Sequence, residues 1–253
     1  MNTSILKHHQ HGMTLIEIMV ALVISLFLLA GLLQMFIATR QSSRVQENLS
    51  RVQENGRFGV EYINRVVRQA GYRSRTTILN GENFKKKFNV DGIEGTNNDG
   101  TNNSDKITVR FEGENTGQGE VRNCLNQTIT SPVISIDTLS ISMDAQGVVN
   151  LYCQVVTPVG ATAQTQPILE NMENIQVLYG EKKGSNLAYV SATNVQNWDN
   201  VFSVRISLVL RTAENNLAEA PQPYTINGVT TTPTDPTDRY LRRVFTTTIA
   251  LRN

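Results

Sequence analysis

Histidine does not occur beyond His11, and cysteine occurs only twice, at Cys124 and Cys153. The chain therefore lacks the side chains from which most transition-metal sites and imidazole acid–base centres are built. No Gly-rich phosphate loop interrupts it, and Glu112, Glu114 and Asp199 fall at strand ends or in loops, where solvation accounts for a carboxylate. Charge of one sign is also missing in excess: 23 Lys and Arg stand against 22 Asp and Glu, and residues 1–12 hold only Lys7 of these. Near-neutrality argues against a nucleic-acid partner. These absences point away from an enzyme, with no catalytic residue, no metal ligand and no cofactor to assign.

What is present is concentrated at the N-terminus. Met1 to Gly12 carries Lys7, His8, His9 and His11 and no acidic residue, a short basic leader that faces the cytoplasm. Met13 to Ala38 follows as 26 residues, about 39 Å of helix and enough to cross a bilayer core of roughly 30 Å. A secretory signal peptide would be cut after its apolar region, yet Leu28 to Phe36 offers no clean small-residue site, which places cleavage before the run, at Gly12. Inside the run sits Glu17. A charge deep in a membrane helix costs roughly 2.5–3.5 kcal/mol on insertion scales, so it calls for a function. Met13 and Glu17 are i and i+4 on one helix face, where a carboxylate near the N-terminus also favours the helix dipole.

Gly12-Met13-Thr14-Leu15-Ile16-Glu17, followed by about twenty apolar residues, resembles the prepilin site of type IV pilins and type II secretion pseudopilins. The resemblance implies a membrane aspartyl peptidase that cuts the Gly12–Met13 bond and methylates the amine of Met13. It also implies that Glu17 is an assembly carboxylate, neutralising the terminal amine of a neighbouring subunit. Pairing with the chain's own terminus and a carboxylate that only marks the water interface stay open at this point. An ordinary uncleaved anchor is the plainer alternative for the whole run.

Beyond the run, Ser43-Arg44-Val45-Gln46-Glu47-Asn48-Leu49 is repeated almost exactly as Ser50-Arg51-Val52-Gln53-Glu54-Asn55-Gly56. Val45, Leu49 and Val52 make a narrow apolar stripe beside a face of alternating charge, too short for a free-standing coiled coil. Gly56 and Gly59 each weaken a helix by about 1 kcal/mol relative to Ala, which predicts a bend or a close packing contact. Helical period continues through Val60, Ile63, Val66, Val67 and Ala70, with Gly71 as C-cap and an end near Tyr72. The stretch ending Arg68-Gln69-Ala70-Gly71-Tyr72, the segment Trp198 to Leu210 and the tail Arg239 to Asn253 are similar to the W-type minor pilins of type IV pili.

The remainder predicts strands at 106–111, 138–143, 148–156, 168–179, 186–190, 201–210 and 243–251, with no helix-length segment between them, and hence an antiparallel sheet. The expected fold is α+β: a long N-terminal helix lying across an antiparallel β-sheet, pilin-like. Its parts are a leader at 1–12, a membrane or filament-core helix at 13–38, an amphipathic stalk at 39–72 and a periplasmic β-rich domain at 73–253. Cys124 and Cys153 would then lie in an oxidising space, where a disulfide is simpler than two free thiols or a metal pair. Such a bridge contributes about 3 to 4 kcal/mol on the chain-entropy account. Asp91 to Asp105 could be a calcium loop but lacks the bidentate Glu and reads as turn chemistry, and Pro221 to Asp238 reads as an exposed irregular loop.

By resemblance, the partners are other minor and major pilins, the prepilin peptidase, the inner-membrane assembly platform and, before assembly, the membrane itself. The implied role is a structural subunit that helps initiate pilus assembly, with adhesion, twitching motility or DNA uptake as its consequences. A type II secretion pseudopilin and a tip adhesin or DNA-binding module, using the loops at 91–105 and 221–238, are the alternatives.

Overall fold

The computed structural model describes residues 14–158 and 160–251. Gly12 and Met13, the expected cleavage and methylation positions, lie outside the described residues. The chain forms two compact units, one ending at Glu47 and one beginning at Asn48. Helix α1 (Leu15–Val67) supplies the described part of the first unit and opens the second. Thr14 starts it: the Glu17 N–H donates to the Thr14 carbonyl at 3.1 Å and to its Oγ1 at 3.4 Å, and Glu17 complements the helix dipole from the first turn.

In the second unit α1 gives way to two single-turn helices, α2 (Arg75–Leu79) and α3 (Phe84–Phe88), each capped by a side chain, Ser74 and Asn83. Strands follow: β1 (Ile93–Thr96), β2 (Lys106–Glu112), β3 (Val121–Arg122), β4 (Thr128–Ile129), β5 (Ile134–Met143), β6 (Val149–Val156) and β7 (Gln164–Glu170). Then come β8 (Met172–Lys183), β9 (Asn186–Val190), β10 (Val201–Arg211), β11 (Tyr224–Ile226), β12 (Val229–Thr231) and β13 (Arg242–Ala250). They form a five-stranded sheet, β1-β2-β5-β6-β7, and a four-stranded sheet, β13-β10-β8-β9, both antiparallel throughout, with β3–β4 and β11–β12 as separate hairpins. The fold is α+β, a long N-terminal helix with antiparallel sheets, as expected.

Alternation decides what is buried. Ile107, Val109 and Phe111 of β2, Leu139 and Ile141 of β5, and Val204, Ile206 and Leu208 of β10 share one apolar core with Val52, Ile63, Val66 and Val67 of α1. The two stalk glycines are sites of close contact. A Cβ on Gly56 would lie 2.2 Å from the Phe245 ring of β13, and one on Gly59 would lie 2.9 Å from Leu169 and 3.2 Å from Met172.

Three expectations need correction. The strand foreseen at 168–179 is two strands in different sheets, because Asn171, at φ 58°, turns the chain between β7 and β8. An asparagine tolerates that left-handed conformation, so no Gly or Pro announced the corner. The segment 91–105 contains β1 and a 3-10 turn at Thr101–Asn103, and 221–238 contains the β11–β12 hairpin, closed by Asn227-Gly228 with both residues at positive φ. Gly71 has the left-handed conformation expected of a cap, but its N–H donates to Arg110 of β2 and so ties the helix end to the sheet.

Candidate assembly interface

The described part of the first unit presents an apolar surface. Large apolar side chains from Leu15 to Ile37 stand about half or more exposed, up to 77% at Phe27, in a helix long and apolar enough to span a bilayer. Its hydroxyls do not contradict that environment. Ser25 Oγ donates to the Ala21 carbonyl and Thr39 Oγ1 to that of Met35, both at 2.7 Å, so each satisfies itself on its own helix. Arg40 ends the run, its guanidinium 4.4 Å from the centroid of the Phe36 ring. Such a surface needs lipid or other apolar helices around it.

Glu17 lies exposed in the first turn of this helix, and between it and Arg40 the sequence has no other charged residue. Cys124 and Cys153 form a disulfide, buried at 3% and 0% exposure, that fastens the turn between β3 and β4 to β6. The same turn is held twice more. Tyr62 of α1 donates its hydroxyl to the Cys124 carbonyl at 2.7 Å, and the Cys124 N–H donates to Asp137 at 2.6 Å. Helix, hairpin and sheet therefore meet at one covalently fixed point.

Two carboxylates expected to be solvated are buried. Glu112 accepts from the Ser74 N–H at 2.9 Å, from the hydroxyls of Ser74, Thr77 and Ser131 at 2.8–3.0 Å and from Lys87 at 3.0 Å. Glu114 accepts from the Tyr72 hydroxyl at 2.6 Å and from the N–H groups of Arg75 and Asn115. Burial pushes both carboxyls up, but these donors outweigh it and hold each below the usual carboxylate range. The pair clasps the segment after α1 onto the end of β2. Strand alternation carried no sign of it, because the donors come from residues remote in sequence. Asp199 does fit the solvated reading, exposed and paired with Lys85 at 2.9 Å.

In the 91–105 segment the acids are engaged from within the protein. Asp105 accepts the N–H groups of Asn98 and Val177 at 2.8 and 2.7 Å, and Asp99 accepts from Thr96 Oγ1 and Lys106 Nζ at 2.5 and 3.1 Å. They serve as turn anchors, which fits the plainer reading of that loop over the calcium one.

Residues 138–253 match the family model of the type IV pilus-assembly protein W, and residues 7–33 match the prokaryotic N-terminal methylation motif. The resemblances noted at Trp198 to Leu210 and Arg239 to Asn253 fall inside the first match, whereas Arg68 to Tyr72 falls outside both. No protein of curated function matches in sequence. Among solved structures, a type IV-like pilin from Thermus thermophilus is similar over 82% of this chain and 96% of its own, at 14% identity and a TM-score of 0.43.

Proposed function

We propose that this chain is a type IV pilus minor pilin of the W type, cut at Gly12–Met13, methylated at Met13 and then docked into a nascent filament through Glu17; the matches to the pilus-assembly protein W model over 138–253 and to the methylation motif over 7–33 support this. The observation that carries the reading is the apolar helix with one carboxylate in its first turn, directly behind a methylation motif. Before assembly, Leu15 to Ala38 spans the inner membrane with the second unit in the periplasm. The basic leader supports that orientation, and so does the Cys124–Cys153 disulfide, a bond favoured in an oxidising space.

Extraction from lipid leaves the apolar surface in need of new cover, and helices of neighbouring pilins provide it. Glu17 then meets the amine of Met13, its own or a neighbour's. In a low-dielectric bundle an unpaired charge is costly, so the subunit that satisfies it is retained. Other minor and major pilins, the prepilin peptidase and the assembly platform are the partners this requires, and priming of assembly is the role. The match to a pilus-assembly family favours the pilus over a secretion pseudopilin.

Mass spectrometry of sheared surface pili tests the whole sequence of events. The expected result is a peptide beginning at N-methylated Met13. A mature chain that retains residues 1–12 would overturn the reading.

A further inference from the structure

The loops at 91–105 and 221–238 are far apart in sequence, yet they wall one cleft of about 340 Å³. Its lining is chemically unusual. Asn98, Asn102, Asn103, Gln176 and Asn227 present carboxamides, Tyr224 presents a phenol, and none of the lining residues carries a charge. Ile226 and Val229 add an apolar strip, with Val229 67% exposed.

The cleft is built and not merely lined. Asn174, 5% exposed, donates to the Asn102 carbonyl at 2.8 Å, and Gln176 donates to the Asn103 carbonyl at 2.8 Å and to Asn174 Oδ1 at 3.2 Å. Asn102 returns a bond to the Glu173 carbonyl at 3.1 Å. These contacts fix the loop on β8 while leaving amide atoms uncommitted. The Asn103 and Asn227 side chains make no hydrogen bond among the described residues, and both stand exposed.

A carboxamide donates and accepts from one planar group, which matches the paired hydroxyls of a sugar ring. Aromatic and aliphatic surface suits the C–H face of the same ring, and a cavity of this size admits one or two sugar units. An anionic ligand would need Arg or Lys in the lining. We propose that this cleft binds a neutral saccharide. The proposal goes beyond the assembly role and does not depend on it.

The test uses the full chain in a detergent without a sugar headgroup. It is titrated with methyl glycosides of glucose, galactose, mannose and N-acetylglucosamine, and then with sialylated and sulfated oligosaccharides and duplex DNA. Saturable binding of at least one neutral glycoside, with a Kd near or below about 1 mM, is expected. Asn103→Gly and Asn227→Gly keep the left-handed backbone these positions require, and each should weaken that binding by about tenfold at unchanged melting temperature. No neutral glycoside bound, binding confined to the anionic probes, or equal binding by both variants would overturn the proposal.

Discussion

Asp137 shows how one side chain sets a pH response. It is buried on β5, where Ser135 donates its hydroxyl at 2.6 Å and Cys124 its N–H at 2.6 Å. Burial pushes its carboxyl up to about 6, against the opposing pull of the Ser135 and Cys124 hydrogen bonds and the Arg65 charge. The folded chain thus keeps a proton that the unfolded chain releases near 3.8. Between those values the folded state binds more protons, so this group's contribution to stability falls as pH rises and stays lost above about 6. In Asp137→Asn the carboxamide oxygen still accepts from the Cys124 N–H, and the carboxamide NH2 donates to the Ser135 hydroxyl, which in the native chain is itself the donor. Asp137→Asn should therefore remove a drop on the order of 1–3 kcal/mol between pH 4 and 7, read from urea melts of wild type and variant across that range. Identical slopes would refute the assignment. The strand expected at 138–143 stopped short of this residue because Ser135 and Asp137 occupy inward positions that ordinarily hold apolar side chains.

At the scale of elements, the contact between α1 and β13 depends on a missing side chain. Alanine has the better helix propensity by about 1 kcal/mol, so an open site would gain from Gly56→Ala. The Phe245 ring denies that gain. With ring atoms 2.2 to 2.6 Å from the new Cβ, the substitution should cost about 1–3 kcal/mol as overpacking does. Adding Phe245→Leu should recover part of the loss, whereas Gly31→Ala, with nothing within 4 Å, should show none. Thermal melts of the four chains decide it, and a Gly56→Ala chain as stable as wild type would refute the close contact. The sequence narrowed Gly56 and Gly59 to a bend or a contact and could not choose, since the ring that fills the space lies 189 positions further on (245 minus 56). The Asn171 corner was illegible for a related reason. A single asparagine marks the step from one sheet to the other, and the apolar pattern runs on through it.

For the whole molecule, legibility followed range. The apolar run and Glu17 are contiguous in sequence, and bilayer thickness alone marks the run as long enough to span. The clasp around Glu112 and the amide cleft assemble from distant segments, and no local period encodes them. Assembly joins both scales, since the apolar unit must dock while the second unit stays folded. Glu17→Ala removes the only charged side chain between Thr14 and Arg40 and should, if anything, ease membrane insertion. The variant should accumulate in the membrane at wild-type level, with its disulfide formed and its melting unchanged, because Glu17 lies outside the unit that holds the core. Docking should fail, leaving the variant depleted by about tenfold or more from sheared filaments, as loss of one low-dielectric charge pair implies. Quantitative blots of the membrane and filament fractions separate the two effects. Wild-type abundance in filaments would mean that apolar packing alone selects the incoming subunit and that the carboxylate does not guide docking.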